Sequence, residues 1–388
     1  MFYWKIDNLK PLPAQPLPPN PRRIVLLNPT KYLGNLLIAG GLMQRFAAHC
    51  RAQNRELLIV LDASFQELCA AAFADVPVLW YPRQELRRAG PWRRLRLFAE
   101  FMRRLRAFRP DLAFNLEEDS LSSRLTQFSG AAFRLGCSPA RHRFGYEHVL
   151  PIDHGAAHRW YGFQAVFSAL GVPADNFPCY INLFTDQCDE RFIQKLYELG
   201  VDRDAQLVAI HPAATKEYKK WPESAFSELC KILIEKGYSP VLLGAGAEDA
   251  GRCTRISKAV ASDAPDRAAG AESIPAHRPA RLYNLCNQLS LAELASLFRR
   301  CVGIVGNDSG PSHLAATQGL PGVVIFGPSD PSIWGPLGTR SRVIRKVDQC
   351  DPRCSRRACF ADYRCLRAIS PQDVLDTLLA LIETGNQP

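Results

Sequence analysis

The chain has 388 residues, 47% of them hydrophobic, with a formal net charge of +10. That length suits two domains, and that apolar content supplies a sizeable core. No apolar run reaches the roughly 18 residues a membrane span needs; the positive charge implies an acidic partner such as nucleotide phosphate, anionic lipid or nucleic acid.

The opening MFYWKIDNLKPLPAQPLPPNPRR lacks the charged-then-apolar layout of a signal peptide. Its prolines predict an extended or disordered tail over residues 1–21, and the chain reads as cytoplasmic. Arg23 to Asn28 predicts a buried strand, followed by the loop Pro29 to Asn35 and an apolar helix to about Cys50. Strands at Leu57–Leu61, Val76–Trp80 and Leu112–Leu116 continue an alternation of strand and helix. Such a rhythm predicts α/β architecture, with a parallel sheet covered on both faces.

Residues 83–109 depart from that rhythm. Leu95, Phe98, Phe101, Met102, Leu105 and Phe108 recur at helical spacing, and arginines fill much of the rest. One reading is an amphipathic helix that docks on an anionic membrane surface through residues 87–109. The other is a domain helix with a solvated basic face.

From Val149 to about Asp204 the chain reads as the end of one domain and a link to the next, with a helix over Tyr161–Leu170. Leu207–Ile210 restarts the pattern, and Val241–Leu243 continues it. Residues 258–280, rich in Ala, Pro, Asp and Arg, read as a long surface insertion. Leu291–Arg300 predicts a helix, and Val374–Ile382 a last one. The expected division is 1–21 tail, 22–185 first domain, 186–370 second domain and 371–388 terminal helix.

The stretch Cys301 to Gly338 organises the second half. Val302–Val305 predicts a strand, and Gly306 to Gly310 is dense in turn formers, where Asp308 or Ser309 can cap a helix. Pro311 suits a first helical turn; His313–Gln318 completes a short helix, and Val323–Phe326 is the next strand. Free N–H groups and the positive dipole end at such a helix start bind anions, phosphates above all.

Gly244-Ala245-Gly246 begins like a dinucleotide fingerprint, but Asp249 stands where the third glycine belongs and would repel a pyrophosphate. Asp202-Arg203-Asp204 precedes a strand and reads as turn chemistry. Most of the 13 cysteines, such as Cys69, Cys230 and Cys301, sit in apolar runs and read as reduced core thiols. Cys350, Cys354, Cys359 and Cys365 lie close together in sequence and could bind zinc or iron, or remain free or locally paired.

Asn307-Asp308-Ser309-Gly310-Pro311-Ser312-His313, with Phe326-Gly327-Pro328-Ser329-Asp330-Pro331 and Trp334-Gly335-Pro336, resembles the nucleotide-sugar motif of the lipopolysaccharide heptosyltransferases, glycosyltransferase family 9. The loop His211 to Pro222, ending Lys219-Lys220-Trp221-Pro222, resembles that family's second donor motif. The resemblance implies a GT-B fold: two Rossmann-like doubly wound domains facing a cleft, the first binding acceptor and the second donor. It implies an inverting transfer of a heptose or related sugar from a nucleotide sugar, ADP-heptose first among them, to a lipopolysaccharide core or other lipid-anchored saccharide acceptor. Such a protein would work at the inner face of the inner membrane, with no cofactor required for transfer and no nucleic acid as partner. Some relatives carry cysteines in the tail, and some of those hold iron.

Carried onto this chain, Lys219 contacts the donor pyrophosphate with Thr215 in support, while Asp308, Ser309, Gly310 and His313 bind the sugar and phosphates. In the first domain the family carries Gly-Asp, whose Asp is the expected general base, but this chain has Gly34-Asn35. An amide cannot take a proton at neutral pH. Three readings stay open. Another carboxylate of the Glu117-Glu118-Asp119 cluster serves as base, with Glu117 and Asp119 as candidates; Asn35 positions the acceptor while phosphate or water takes the proton; or the protein is a non-catalytic nucleotide-sugar or lipid-surface binding protein.

Overall fold

The computed structural model describes residues 20–137, 146–150, 152, 158–174, 179–183, 189–262, 279–351, 353–354 and 359–384. The expected N-terminal tail, apart from its last two residues, and most of the 258–280 insertion lie outside the described residues. The chain divides into two compact units, 1–184 and 185–388.

Unit 1 holds β1 (Arg23–Asn28), β2 (Glu56–Asp62), β3 (Val78–Tyr81), β4 (Leu112–Asn115), β5 (Phe133–Gly136) and β6 (His148–Val149). They form one parallel sheet in the order β3-β2-β1-β4-β5-β6. β1 and β2 are apolar almost without interruption because both faces are covered. Val25 and Leu27 face one side, where Phe101, Met102 and Leu105 of the helix Pro91–Ala107 pack. On the helix Leu33–Ala52, Phe46 meets Phe114 and Phe167 at ring-centroid separations of 6.2 and 5.4 Å.

This packing decides between the two readings of the basic segment for part of its apolar stripe. The segment forms two helices, Arg83–Arg88 and Pro91–Ala107, broken at Gly90. Phe101, Met102 and Leu105 belong to the domain core, so they do not face a membrane.

Unit 2 holds β7 (Leu207–His211), β8 (Ser239–Leu242), β9 (Tyr283–Asn284), β10 (Cys301–Asn307), β11 (Gly322–Ile325) and β12 (Ser341–Ile344). Its parallel order is β12-β11-β10-β7-β8-β9. One face is covered by the helices Glu223–Glu235 and Pro371–Thr384, whose Leu229, Leu233, Leu375 and Leu378 join the core. The terminal helix therefore packs as part of this unit. The strands β5, β6, β9 and β12 are additions to the sequence-based expectation: β6 and β9 are only two residues long, and β5 (FRLG) and β12 (SRVI) carry an arginine that breaks the apolar run.

Both units show the doubly wound arrangement, in which strand order reverses once. The reversal falls between β1 and β4 in unit 1, and between β7 and β10 in unit 2. Ligands in open parallel sheets bind beyond the strands' carboxyl ends at that point. Asn35 and the Glu117–Asp119 cluster stand at the first of these positions, and Lys219 and Asp308 at the second, whereas the tail cysteines follow the edge strand β12.

Candidate functional site

In unit 2, β7 ends at His211 and β10 at Asn307, and the loops that follow carry the chemistry. Lys219 sits in a single helical turn, Glu217–Lys219. Its Nζ lies 2.6 Å from Oδ2 of Asp308. The Asp308 side chain is only 5% exposed; its Oδ2 has this ammonium as partner, approached off the hydrogen-bonding direction, and no hydrogen bond among the described residues. Ser309, the N-cap residue of the helix Gly310–Thr317, makes no side-chain cap, and Asp308 makes no capping hydrogen bond among the described residues. The Ser309 hydroxyl turns instead to Nδ1 of His211, 3.1 Å away. Pro311 stands in the first turn, and the N-cap side chain leaves the amides at the helix start uncapped.

Two buried residues hold this arrangement. Asn307, fully buried, accepts from the Trp221 N–H at 3.0 Å and donates to the Pro212 carbonyl at 2.8 Å. It ties both ends of the Lys219 loop to the end of β10. Trp221 is also fully buried and donates its indole N–H to Ile369 O at 3.1 Å. Gly327 closes the loop from the other side: a Cβ there would fall on the Tyr218 carbonyl oxygen. Burial lowers the pKa of His211 to about 4, so a neutral ring meets Ser309. The bracing role of Asn307 rests on partners far away in the chain, although an Asn closing an apolar strand is a signal for such a brace.

Thr215 is exposed on the same loop, Gly310 opens the helix and His313 is buried within it. Lys220, beside Lys219, pairs with Glu217 and Glu248. The turn after β8 is closed by Asp249, whose Oδ2 accepts from the Ala245 N–H at 2.9 Å. Asp202 accepts from the Tyr283 hydroxyl at 2.9 Å, a structural bond.

In unit 1, Asn35 lies in the first turn of the helix Leu33–Ala52 after β1. The acidic cluster follows β4, the neighbouring strand, and its three members have separate partners. Glu118 Oε1 lies 2.6 Å from a guanidinium nitrogen of buried Arg159. Asp119 caps the helix Ser120–Gln127, its Oδ1 accepting from Ser122 N at 2.7 Å. Glu117 is half-buried, and Thr30, on the loop before Asn35, hydrogen-bonds its carboxyl. Burial, against that bond, raises its pKa to about 7, and the Asp119 charge adds to the rise.

The four tail cysteines come together as a chain of thiol contacts, Cys365 with Cys350, Cys350 with Cys354 and Cys354 with Cys359. The Phe360 and Tyr363 N–H groups donate to Cys354 and Cys359 sulfur at 3.2 and 3.1 Å. Among the described residues no group of three or more His, Cys, Asp or Glu is disposed to hold a metal ion.

Residues 98–363 match the sequence model of glycosyltransferase family 9 (heptosyltransferase). The chain belongs to that family. Among curated family 9 relatives, lipopolysaccharide heptosyltransferase 2 of Escherichia coli is 34% identical over 42% of this chain and 43% of its own length. Lipopolysaccharide heptosyltransferase 3 of the same organism is 26% identical over 64% of this chain and 67% of its own. The match thus spans less than half the length of the first of these. Among solved structures, the E. coli ADP-heptose lipopolysaccharide heptosyltransferase II superposes with a TM-score of 0.69 at 23% identity, covering 94% of this chain and all of that one. A family 9 glycosyltransferase from Veillonella parvula gives 0.74 at 20% identity, covering 96% and 100%. These show a GT-B-like fold. TibC, a bacterial iron-containing dodecameric glycosyltransferase from enterotoxigenic E. coli, gives 0.57 at 14% identity over 95% of this chain and 77% of that one.

Proposed function

We propose that this chain is an inverting glycosyltransferase of lipopolysaccharide core assembly, moving a heptose or related sugar from ADP-heptose to a lipid-anchored saccharide. The observation that carries the reading is the ion pair of Lys219 and Asp308 beside the open start of the helix Gly310–Thr317. Family membership and the names of the relatives supply the sugar and the core acceptor.

Unit 2 would hold the donor. As the bond between the anomeric carbon and the diphosphate oxygen breaks, the electron pair stays with the nucleotide and its negative charge grows. The Lys219 ammonium and the helix amides, fixed beforehand, stabilise that charge, and Asp308 accepts from sugar hydroxyls while holding the ammonium in place. His211, kept neutral, orients Ser309 without adding charge. These groups supply the electrostatic work without a cofactor.

Unit 1 would bind the acceptor and take its proton. Glu117 is the member of the acidic trio whose carboxyl is committed neither to a cap nor to an arginine among the described residues, and a pKa near 7 suits a base at neutral pH. The acceptor oxygen attacks the anomeric carbon from the side opposite the diphosphate as its proton passes to Glu117, and Asn35 positions the hydroxyl. The transition state has oxocarbenium character.

Calorimetric titration with ADP, GDP and UDP tests the donor half. ADP should bind, and Lys219→Ala should weaken it at least tenfold. Absence of heat with all three nucleotides would sink the transferase reading.

A further inference from the structure

We infer that the N-terminal half of the helix Pro91–Ala107, with the short helix Arg83–Arg88 before it, is a docking face for an anionic lipid bilayer, anchored by Trp92 and Leu95. The inference deepens the proposed function, because a lipid-anchored acceptor is presented at a bilayer surface.

The helix already spends Phe101, Met102 and Leu105 on the core of unit 1, yet it carries a second apolar feature that the fold leaves outside. Trp92 is 84% exposed and Leu95 60%. With Ala99, also exposed, they recur at spacings of three and four, so they line one strip of the helix away from the core face. The strip leads into a depression of about 560 Å³ lined by Phe98, Ala99, Met102, Arg103, Arg106 and Phe128. Phe128, from the adjoining helix end, is itself 49% exposed.

Charge selects the occupant. Residues 83–109 contain ten arginines against two glutamates, a net +8 of the chain's +10. Three of the arginines on the helix are held in place: Arg94 donates to Leu86 and Ala89 carbonyls, Arg103 to Glu100, and Arg106 to Phe128 O at 2.8 Å. Arg87, Arg88, Arg93 and Arg96 are exposed and make no hydrogen bond or ion pair among the described residues. They flank the Trp92–Leu95 strip. An indole and a leucine ringed by unengaged guanidinium groups fit the boundary between acidic headgroups and acyl chains. A nucleic acid would satisfy the arginines but leave Trp92, Leu95 and the exposed Phe128 beside the depression uncovered.

The test is flotation of the full chain with vesicles of phosphatidylcholine alone or mixed with phosphatidylglycerol. Binding should require phosphatidylglycerol and fall with salt. Trp92→Ser with Leu95→Ser, and separately Arg87, Arg88, Arg93 and Arg96 each to Gln, should each reduce binding about tenfold. The melting temperature and the ADP titration of these variants should stay at wild-type values, because none of these side chains packs in the core or belongs to the donor loops. Nucleotide binding is read separately, so a failed vesicle experiment does not bear on the transferase reading, nor the reverse. Equal binding to neutral vesicles, unchanged binding of either variant, or retention on double-stranded DNA without vesicle binding would overturn the inference.

Discussion

Lys219 and Asp308 stand 2.6 Å apart although they lie on loops following different strands, β7 and β10. The pair occupies the position where strand order reverses, and one partner is nearly buried. Lys219→Ala removes the mobile charge and strands the carboxylate, so turnover should fall at least a hundredfold and the melting temperature by several degrees. Adding Asp308→Asn should recover the melting temperature and leave the rate low. A double variant with wild-type turnover would show that the pair is structural only.

Glu117 gives a pH prediction. Its carboxylate forms as pH rises through about 7, so kcat/KM should climb through that region and level above it. Glu117→Gln should lower the rate about a hundredfold or more and flatten the rise. Stability runs the other way. A carboxyl whose folded pKa is raised binds more protons folded than unfolded, so its contribution is fully present below the ordinary carboxylate pKa and lost as pH rises through 7. At pH 8 the Gln variant should melt a few degrees above wild type; a lower melting temperature there would mean that Glu117 is not desolvated.

Asn35 tests the competing binding-protein reading. An aspartate in the first turn of Leu33–Ala52 is favoured by the helix dipole by about 0.3–1 kcal/mol, and that turn holds no acid now. Asn35→Asp in the Glu117→Gln background should restore part of the lost turnover. If wild type, the single variants and the double variant all leave ADP-heptose intact with every core acceptor offered, the protein is a binder and not a transferase.

Gly327 reports on the loop that carries Lys219. Since a Cβ would strike the Tyr218 backbone, Gly327→Ala must push that loop away. The expected result is a KM for donor raised roughly tenfold, in keeping with the sensitivity of catalysis to misplacements on the order of 1 Å, together with a loss of stability. An unchanged KM would show that the Lys219 loop does not touch the donor.

His211 should stay neutral across the physiological range, because burial holds it near 4. A base with a depressed folded pKa binds fewer protons folded than unfolded, so its contribution to stability is present above about 6.5 and is lost as pH falls toward 4. His211→Gln should lessen the acid sensitivity of melting between those limits. In NMR spectra the His211 ring nitrogens should not titrate between pH 5 and 8, and a midpoint near 6.5 would contradict the placement.

The sequence by itself determined the α/β alternation, the strands marked by unbroken apolar runs and the turn-rich stretches after them, because each of these is local: a period, a run or a dense patch of Gly, Pro, Asn and Asp. The helix Leu291–Arg300 falls where the sequence places it, and the structure closes its start with a Ser290–Glu293 capping box. The motifs at 211–222 and 307–313 were legible for the same reason. Only the tertiary structure decided what single residues do. Asp308 is a residue type that caps helices, and it pairs with Lys219 because the β7 loop arrives beside it. Glu117, Glu118 and Asp119 are neighbours in the chain, and differ because Thr30 and Arg159 reach the first two from other elements while Asp119 caps its own helix. The amphipathic helix showed its period in sequence, while the sheet of unit 1 settled which apolar side chains it keeps and left Trp92 and Leu95 outside. Burial and pairing depend on groups far apart in the chain, and no local pattern records which of them will meet.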